Sequence, residues 1–275
     1  MYAANTLICL QPHLLIKYTS YVYYHHHLEA LMYWLRRRLL SQNFFSNREL
    51  IQKLIRDSSI SSSDTVLDIG SGRGAITQEL LKVTKHVIAI EKDPRFTRHP
   101  QDFLTYRLPS LPYKVFANIP FSITGEIIRK LLNAVNPPSD CYLIIQAETA
   151  QKFIINPKAN TMAALLYHPW WEIRIIHEFN RSDFKPIPKV NSVFLHITPR
   201  SKLLVPIQQK DIYRDFVAYS FVHNPQAKFI PASQWLKFKN NPKYNGAYFK
   251  LLNEQLCLQK IHRSRTDNNW KKFRP

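Results

Sequence analysis

The chain holds five glycines, and three of them, Gly70, Gly72 and Gly74, fall within five residues. They follow directly on Thr65-Val66-Leu67-Asp68-Ile69, a β-branched, apolar run that predicts a strand. Glycine lets the backbone turn tightly and approach a ligand with no Cβ between them. A strand, glycine loop and helix in succession set that ligand at the N-terminus of the helix. The next predicted strand, 86–90, leads into Glu91. That is about where a nucleotide-binding βαβ unit carries the carboxylate that accepts two hydrogen bonds from a ribose diol. Gly70-x-Gly72-x-x-Ala75 also fits the dinucleotide fingerprint, so the loop alone admits a nicotinamide dehydrogenase as well.

The pattern around the loop is one of alternating elements. Helical spacing over 46–56 places Leu50, Ile51, Leu54 and Ile55 on one face, and the serine run 58–63 reads as a loop. Strands are expected over 65–69, 86–90, 113–117 and 141–145, with helices over 76–83 and 124–132 between them. Residues 171–179 and 190–198 read as a closing antiparallel pair. Strands alternating with helices predict an α/β fold, a mainly parallel sheet covered on both faces. Beyond Pro199 the strand signal stops. Helices are expected over 211–221 and 248–258, in a small, basic helical domain spanning 201–275.

Charge narrows the partners. Lys and Arg number 38 against 19 Asp and Glu, a formal net charge of +19. A surface so basic calls for an anionic partner, and nucleic acid is the first choice because each neutralised phosphate releases counterions, with an anionic membrane surface as its main rival. Cys9, Cys141 and Cys257 lie far apart, so neither a disulfide framework nor a zinc site is expected and a reducing cytoplasm suits the chain. Adjacent side chains in His25-His26-His27 point different ways, and no metal is expected there. Residues 1–40, with Tyr18, Tyr21, Tyr23, Tyr24 and Arg36-Arg37-Arg38, lack the basic start of a secretory signal. Glu29 and the histidines interrupt any stretch long enough to span a membrane. This extension reads as a basic arm for RNA or, preferably, as an upstream segment before a natural start at Met32.

The predicted strand 113–117 runs into Asn118-Ile119-Pro120-Phe121. An adenine N6 amine is a poor nucleophile because its lone pair is delocalised into the ring. The Asn118 amide oxygen and the Ile119 carbonyl can accept its two N–H groups and draw that lone pair out of conjugation. Pro120 stiffens the turn, and Phe121 offers a face for an extruded base, worth ~1–3 kcal/mol. Neither metal nor covalent intermediate is needed, only placement and electrostatics. A nicotinamide enzyme has no use for this turn.

With Ser41-Gln42-Asn43-Phe44-Phe45, Leu67 to Gly74, Ile90-Glu91-Lys92-Asp93 and Phe184-Lys185-Pro186-Ile187-Pro188-Lys189-Val190-Asn191-Ser192 in the same order, the chain resembles the erythromycin-resistance rRNA adenine N6-methyltransferases. These are relatives of the 16S rRNA adenine dimethyltransferases. The resemblance covers roughly 36–200, and Asn-Ile-Pro-Phe favours the erythromycin-resistance branch over the 16S branch, which more often shows Asn-Leu-Pro-Tyr. It implies a Rossmann-like S-adenosylmethionine-dependent methyltransferase domain over 41–200 with a helical C-terminal domain. It also implies an adenine of 23S rRNA as substrate, and resistance to macrolide, lincosamide and streptogramin B drugs. Gln42, Asn43 and Phe45 would close over S-adenosylmethionine, Gly70 and Gly72 would pass its amino-acid part, Glu91 would hold its ribose, and Asp102 would bind its adenine amine. Asn118 counts both as a cofactor-side and as a catalytic residue. With Phe121 it would hold the target adenine, and Phe184 would stack on the other face. Phe44 is expected in the core. Arg129, Lys130, Lys152, Lys185 and Lys189 are the candidates for an RNA phosphate track. A monomer without metal or membrane attachment is expected.

One departure stands out. Ten residues separate Glu91 from Asp102, where the family carries a helix and a further strand. A crossover with its helix alone needs about 10–12 residues. That unit is expected to be missing from one edge of the sheet, near the adenine pocket. This leaves two alternatives, an active methyltransferase or a non-catalytic RNA-binding relative. After about Asn224 the chain matches the family poorly.

Overall fold

The computed structural model describes residues 44–45, 47–238, 244 and 246–251. Met32, the histidine run, Gln42, Asn43 and the end of the expected 248–258 helix lie outside the described residues. In chain order the elements include β1 (Phe44–Phe45), α1 (Arg48–Arg56), β2 (Val66–Ile69), α2 (Ala75–Leu80), β3 (Val87–Ile90), β4 (Lys114–Asn118), α3 (Thr124–Leu132) and β5 (Asp140–Gln146). They continue with α4 (Ala147–Gln151), α5 (Met162–Tyr167), β6 (Trp171–Glu178), β7 (Phe184–Lys185), β8 (Ser192–Pro199), α6 (Lys210–His223) and α7 (Ala232–Trp235).

Six strands form one sheet in the order β3-β2-β4-β5-β8-β6. β3, β2, β4 and β5 run parallel, and β8 is antiparallel to both β5 and β6. The central strands are buried on both faces, as parallel strands under helices must be. Side chains alternate across the sheet. Leu67, Ile69, Val115, Ala117, Leu143 and Ile145 therefore join the core that includes Ile127, Ile128 and Leu131 of α3. Val66, Phe116, Tyr142 and Ile144 join the opposite core with Ile51, Leu54 and Ile55 of α1. The α1 start is fixed by Asn47, whose side chain accepts from the Leu50 N–H and donates to Asp183.

The expected missing unit is indeed absent. Residues 91–113 contain no helix or strand, and β3 is the edge of the sheet. The segment folds back on itself instead, with the Gln101 N–H donating to the Glu91 carbonyl at 2.7 Å. After β8 the described residues are helical where regular. The Tyr213 hydroxyl of α6 donates to the Leu165 carbonyl of α5, and the buried Asp215 accepts from the N–H groups of Gly246 and Phe249 at the start of the last described helix. No helix among the described residues is long and apolar enough to cross a membrane.

Candidate functional site

The C-terminal ends of β2, β3 and β4 converge on the glycine loop. The Gly70 and Ser71 N–H groups both donate to the Ile90 carbonyl, which fastens the loop to the end of β3. Gly70 and Gly72 take positive φ values of 73° and 52°, conformations that side-chain-bearing residues rarely adopt. Both also face crowded neighbours. A Cβ on Gly70 would lie 3.2 Å from Cδ of Pro120 and 3.8 Å from the Asn118 carbonyl oxygen. A Cβ on Gly72 would lie 2.8 Å from Cε1 of Phe44. Glycine is what lets the Asn-Ile-Pro-Phe turn and the β1 aromatic close on the loop from its two sides.

Glu91 is bound into this arrangement by backbone amides. One carboxylate oxygen accepts from the Gly72 N–H at 2.7 Å and the other from the Asp93 N–H at 2.7 Å. A carboxylate offers about four acceptor positions, so lone pairs remain for a diol. Asp68, two residues before the loop, is buried. Its Oδ2 accepts from the Thr77 hydroxyl at 2.5 Å, while Oδ1 has no partner. Burial pushes its carboxyl up to about 7, with Glu91 adding to the rise. Sequence reading passed over Asp68 as a strand residue; its signal is an acid inside an otherwise apolar β2.

Asn118 ends β4, paired with Ile144 of β5, and Ile119 after it is buried. Phe121 is half-buried in the short turn that leads into α3. The Thr124 hydroxyl donates towards the Pro120 carbonyl and ties the turn to that helix.

Several expected roles are corrected. Phe45 is buried, its ring 5.2 Å from Phe184 and 5.1 Å from Phe179. Phe184 has no exposed surface at all. Neither ring has a face left for a cofactor or a base; both are core. Phe44, expected in the core, is instead the aromatic over the loop. β1 is only two residues long, and neighbouring strand residues point to opposite faces. Lys130 is no phosphate contact either. Its ammonium donates to the carbonyls of Phe103, Leu104 and Tyr106 at 2.6, 2.9 and 2.5 Å. Those three bonds use all its protons, and burial lowers its pKa. It clasps the segment that follows the shortened loop.

Asp102 lies next to the Gln101–Glu91 closure and so stays near the site. Its carboxylate accepts from Lys92 at 2.6 Å and from the Leu104 N–H at 2.9 Å. Against the effect of burial, these donors hold its pKa below the usual carboxylate range. Lys185 pairs with Phe44 across β1 and β7, which sets an exposed cation beside the loop. Lys189 is exposed, Arg129 pairs with Glu126 at 3.6 Å, and Lys152 pairs with Glu148 at 3.1 Å. Surface pairs of this kind are weak and leave these cations accessible. Among the described residues no group of three or more His, Cys, Asp or Glu side chains is placed to hold a metal.

A family model described as ribosomal RNA adenine dimethylase matches residues 35–233. The chain is 32% identical over 197 residues to an rRNA adenine N-6-methyltransferase of Bacteroides fragilis, covering 66% of this chain and 73% of that one. It is 31% identical over 220 residues to a ribosomal RNA small subunit methyltransferase A of Chlorobaculum parvum, covering 74% of this chain and 77% of that one. Among solved structures, the 23S rRNA methyltransferase ErmE aligns with a TM-score of 0.61 at 22% identity, over 71% of this chain and 97% of that one. At that identity the likeness shows the fold alone.

Proposed function

Because the chain belongs to the ribosomal RNA adenine dimethylase family, and is thus an rRNA adenine N6-methyltransferase, we propose that it takes its methyl group from S-adenosylmethionine and delivers it to an adenine of 23S rRNA. Drug resistance of the macrolide, lincosamide and streptogramin B type is the proposed outcome. The observation that carries this reading is the packing of the Asn118-Ile119-Pro120-Phe121 turn on Gly70. That packing sets an amide-bearing, base-accepting turn against a loop suited to a nucleoside cofactor.

The residues fit S-adenosylmethionine on three counts. The loop presents backbone with no Cβ, Glu91 is oriented by two amides with acceptor positions to spare, and the buried Asp68 Oδ1 lacks a partner. When bound, the cofactor supplies a methyl group on a positively charged sulfur. In this proposal Glu91 accepts the ribose hydroxyls, and Gly70 and Gly72 pass the amino-acid part. Asp68 supplies a buried acceptor, its Oδ1, beneath the loop. Asp102 keeps its assignment at the adenine end, through whichever acceptor position Lys92 and Leu104 leave open.

The Asn118 amide oxygen and the Ile119 carbonyl accept the two N–H groups of the target amine. This holds the lone pair out of the ring and aims it across the turn. Phe121 stacks on the extruded base. The turn's rigidity, from Pro120 and the Thr124 bond, keeps the acceptors in place before the base arrives. Lys185, Lys189, Arg129 and Lys152 serve as phosphate contacts of a monomer.

The branch is carried by Asn-Ile-Pro-Phe itself. Transfer of labelled methyl groups to protein-free 23S and 16S RNA, offered separately, tests it. Label confined to 23S RNA is expected. Label confined to 16S RNA would move the enzyme to the small-subunit branch, and label in neither would reject the reading.

A further inference from the structure

The shortened segment after Glu91 is joined to the glycine loop by a closed circuit of contacts. Glu91 accepts from the Gly72 N–H on one side and from the Asp93 N–H on the other. The Asp93 carboxylate, itself buried, holds the Arg95 guanidinium through Nε at 2.9 and 3.0 Å and through Nη2. That guanidinium lies 5.3 Å over the ring of Phe96. Phe96 meets Phe44 edge to face, centroids 5.5 Å apart at 79°. Phe44 in turn lies against Gly72, and the Arg73 guanidinium sits 5.4 Å from the Phe44 ring centroid. The circuit closes through the Glu91 carboxylate.

We propose that this segment is the cover of the cofactor's ribose end, and that Phe96 is the positioning residue that holds Phe44 against Gly72. The inference rests on the reading of the loop as an S-adenosylmethionine site. The physical reason is geometric. Among the described residues β3 is the edge strand of the sheet, so no further described strand walls the site there. Two aromatic rings, each with a cation over it, supply apolar bulk at that edge. They also exclude water from a carboxylate whose hydrogen bonds to a diol strengthen as the local dielectric falls. The edge-to-face contact is directional, so Phe96 fixes where Phe44 stands rather than touching the ligand.

The test is calorimetric titration of the full chain with S-adenosylhomocysteine, with thermal melting of each variant alongside. Phe96→Ala is expected to weaken binding about tenfold, with the melting temperature lowered only modestly because the ring is half-buried and lies outside the core. Phe96→Tyr, which keeps the ring, is expected to restore binding to within about twofold. In turnover, KM for S-adenosylmethionine should rise in Phe96→Ala while kcat is kept. If Phe96→Ala does not fold, Phe96→Leu answers the same question, since it keeps bulk and loses the ring. A wild-type chain that binds while the Ala or Leu variant binds equally well would overturn this inference alone. A folded wild-type chain that does not bind would overturn the site reading and this inference with it.

Discussion

The Pro120 ring stands 3.2 Å from where residue 70 would carry a Cβ, so the Asn-Ile-Pro-Phe turn and the glycine loop are packed as one unit through Gly70. A proline ring cannot swing aside as a flexible side chain can. Gly70→Ala meets both this contact and a φ of 73°. It should cost about 1–3 kcal/mol of stability and weaken S-adenosylhomocysteine binding at least about tenfold. Gly74 has a φ of 79°, but its Cβ would meet only the end of Gln78 at 4.0 Å. Gly74→Ala should therefore show the strain cost, about 1 kcal/mol, with binding nearly intact. Denaturant unfolding and calorimetry on both variants check this; equal binding losses would contradict it.

Lys130 and Lys185 should separate structure from RNA contact. Lys130→Met strips three carbonyls of their donor, with an expected destabilisation of about 1–2 kcal/mol and no change in the salt dependence of RNA binding. Lys185→Ala should leave stability alone and lower the slope of log K against log salt by about 0.7–0.9, one phosphate contact. Filter binding over a salt series reads both slopes.

This contrast marks how far the sequence reached. β2 through Glu91 was legible because a strand that is apolar on both faces, a glycine cluster and an acid at fixed spacing are local patterns. Asn118 to Phe121 was legible for the same reason. Phe44 and Phe45 were read in reverse, since a two-residue strand carries no periodicity to say which ring faces inward, and the β1–β7 pairing that decides it joins residues far apart in sequence. Lys130 was misread because its partners, Phe103 to Tyr106, are brought to it only by the shortened segment. The short helices α4 and α5 were missed because one or two turns give too few repeats of the helical period.

Asp68 should impose a pH dependence near neutrality. Burial holds its folded carboxyl at about 7 against an ordinary value of 3.8, so the folded state binds more protons between those values. The stability it contributes is complete below 3.8 and is lost as pH rises through 7. Asp68→Asn cannot ionise. Its stability relative to wild type should therefore increase steadily from about pH 4 to pH 7. Parallel unfolding curves across that range would count against a buried, proton-retaining Asp68.

Glu79 should act in the opposite sense at acid pH. Burial works to raise its pKa, but Lys82, Arg48 and Gln52 all donate to its carboxylate and bring it down to about 2 from 4.5. The stability it contributes is present above 4.5 and is lost as pH falls through 2. Glu79→Gln should be less stable than wild type at neutral pH, with the gap closing as pH falls through that range. A gap independent of pH would show that the three donors do not depress this group.

The central claim is that Asn118 holds the amine that receives the methyl group. Nucleoside analysis of 23S rRNA treated with the chain and S-adenosylmethionine tests it most directly. The wild-type chain should yield N6-methylated adenosine. Asn118→Ala should lower the yield by a factor of about 100 or more, the scale of losing one preorganised transition-state hydrogen bond, while still binding S-adenosylhomocysteine. Equal yields from the two proteins, or no methylated adenosine from a wild-type chain that binds the cofactor, would contradict the account.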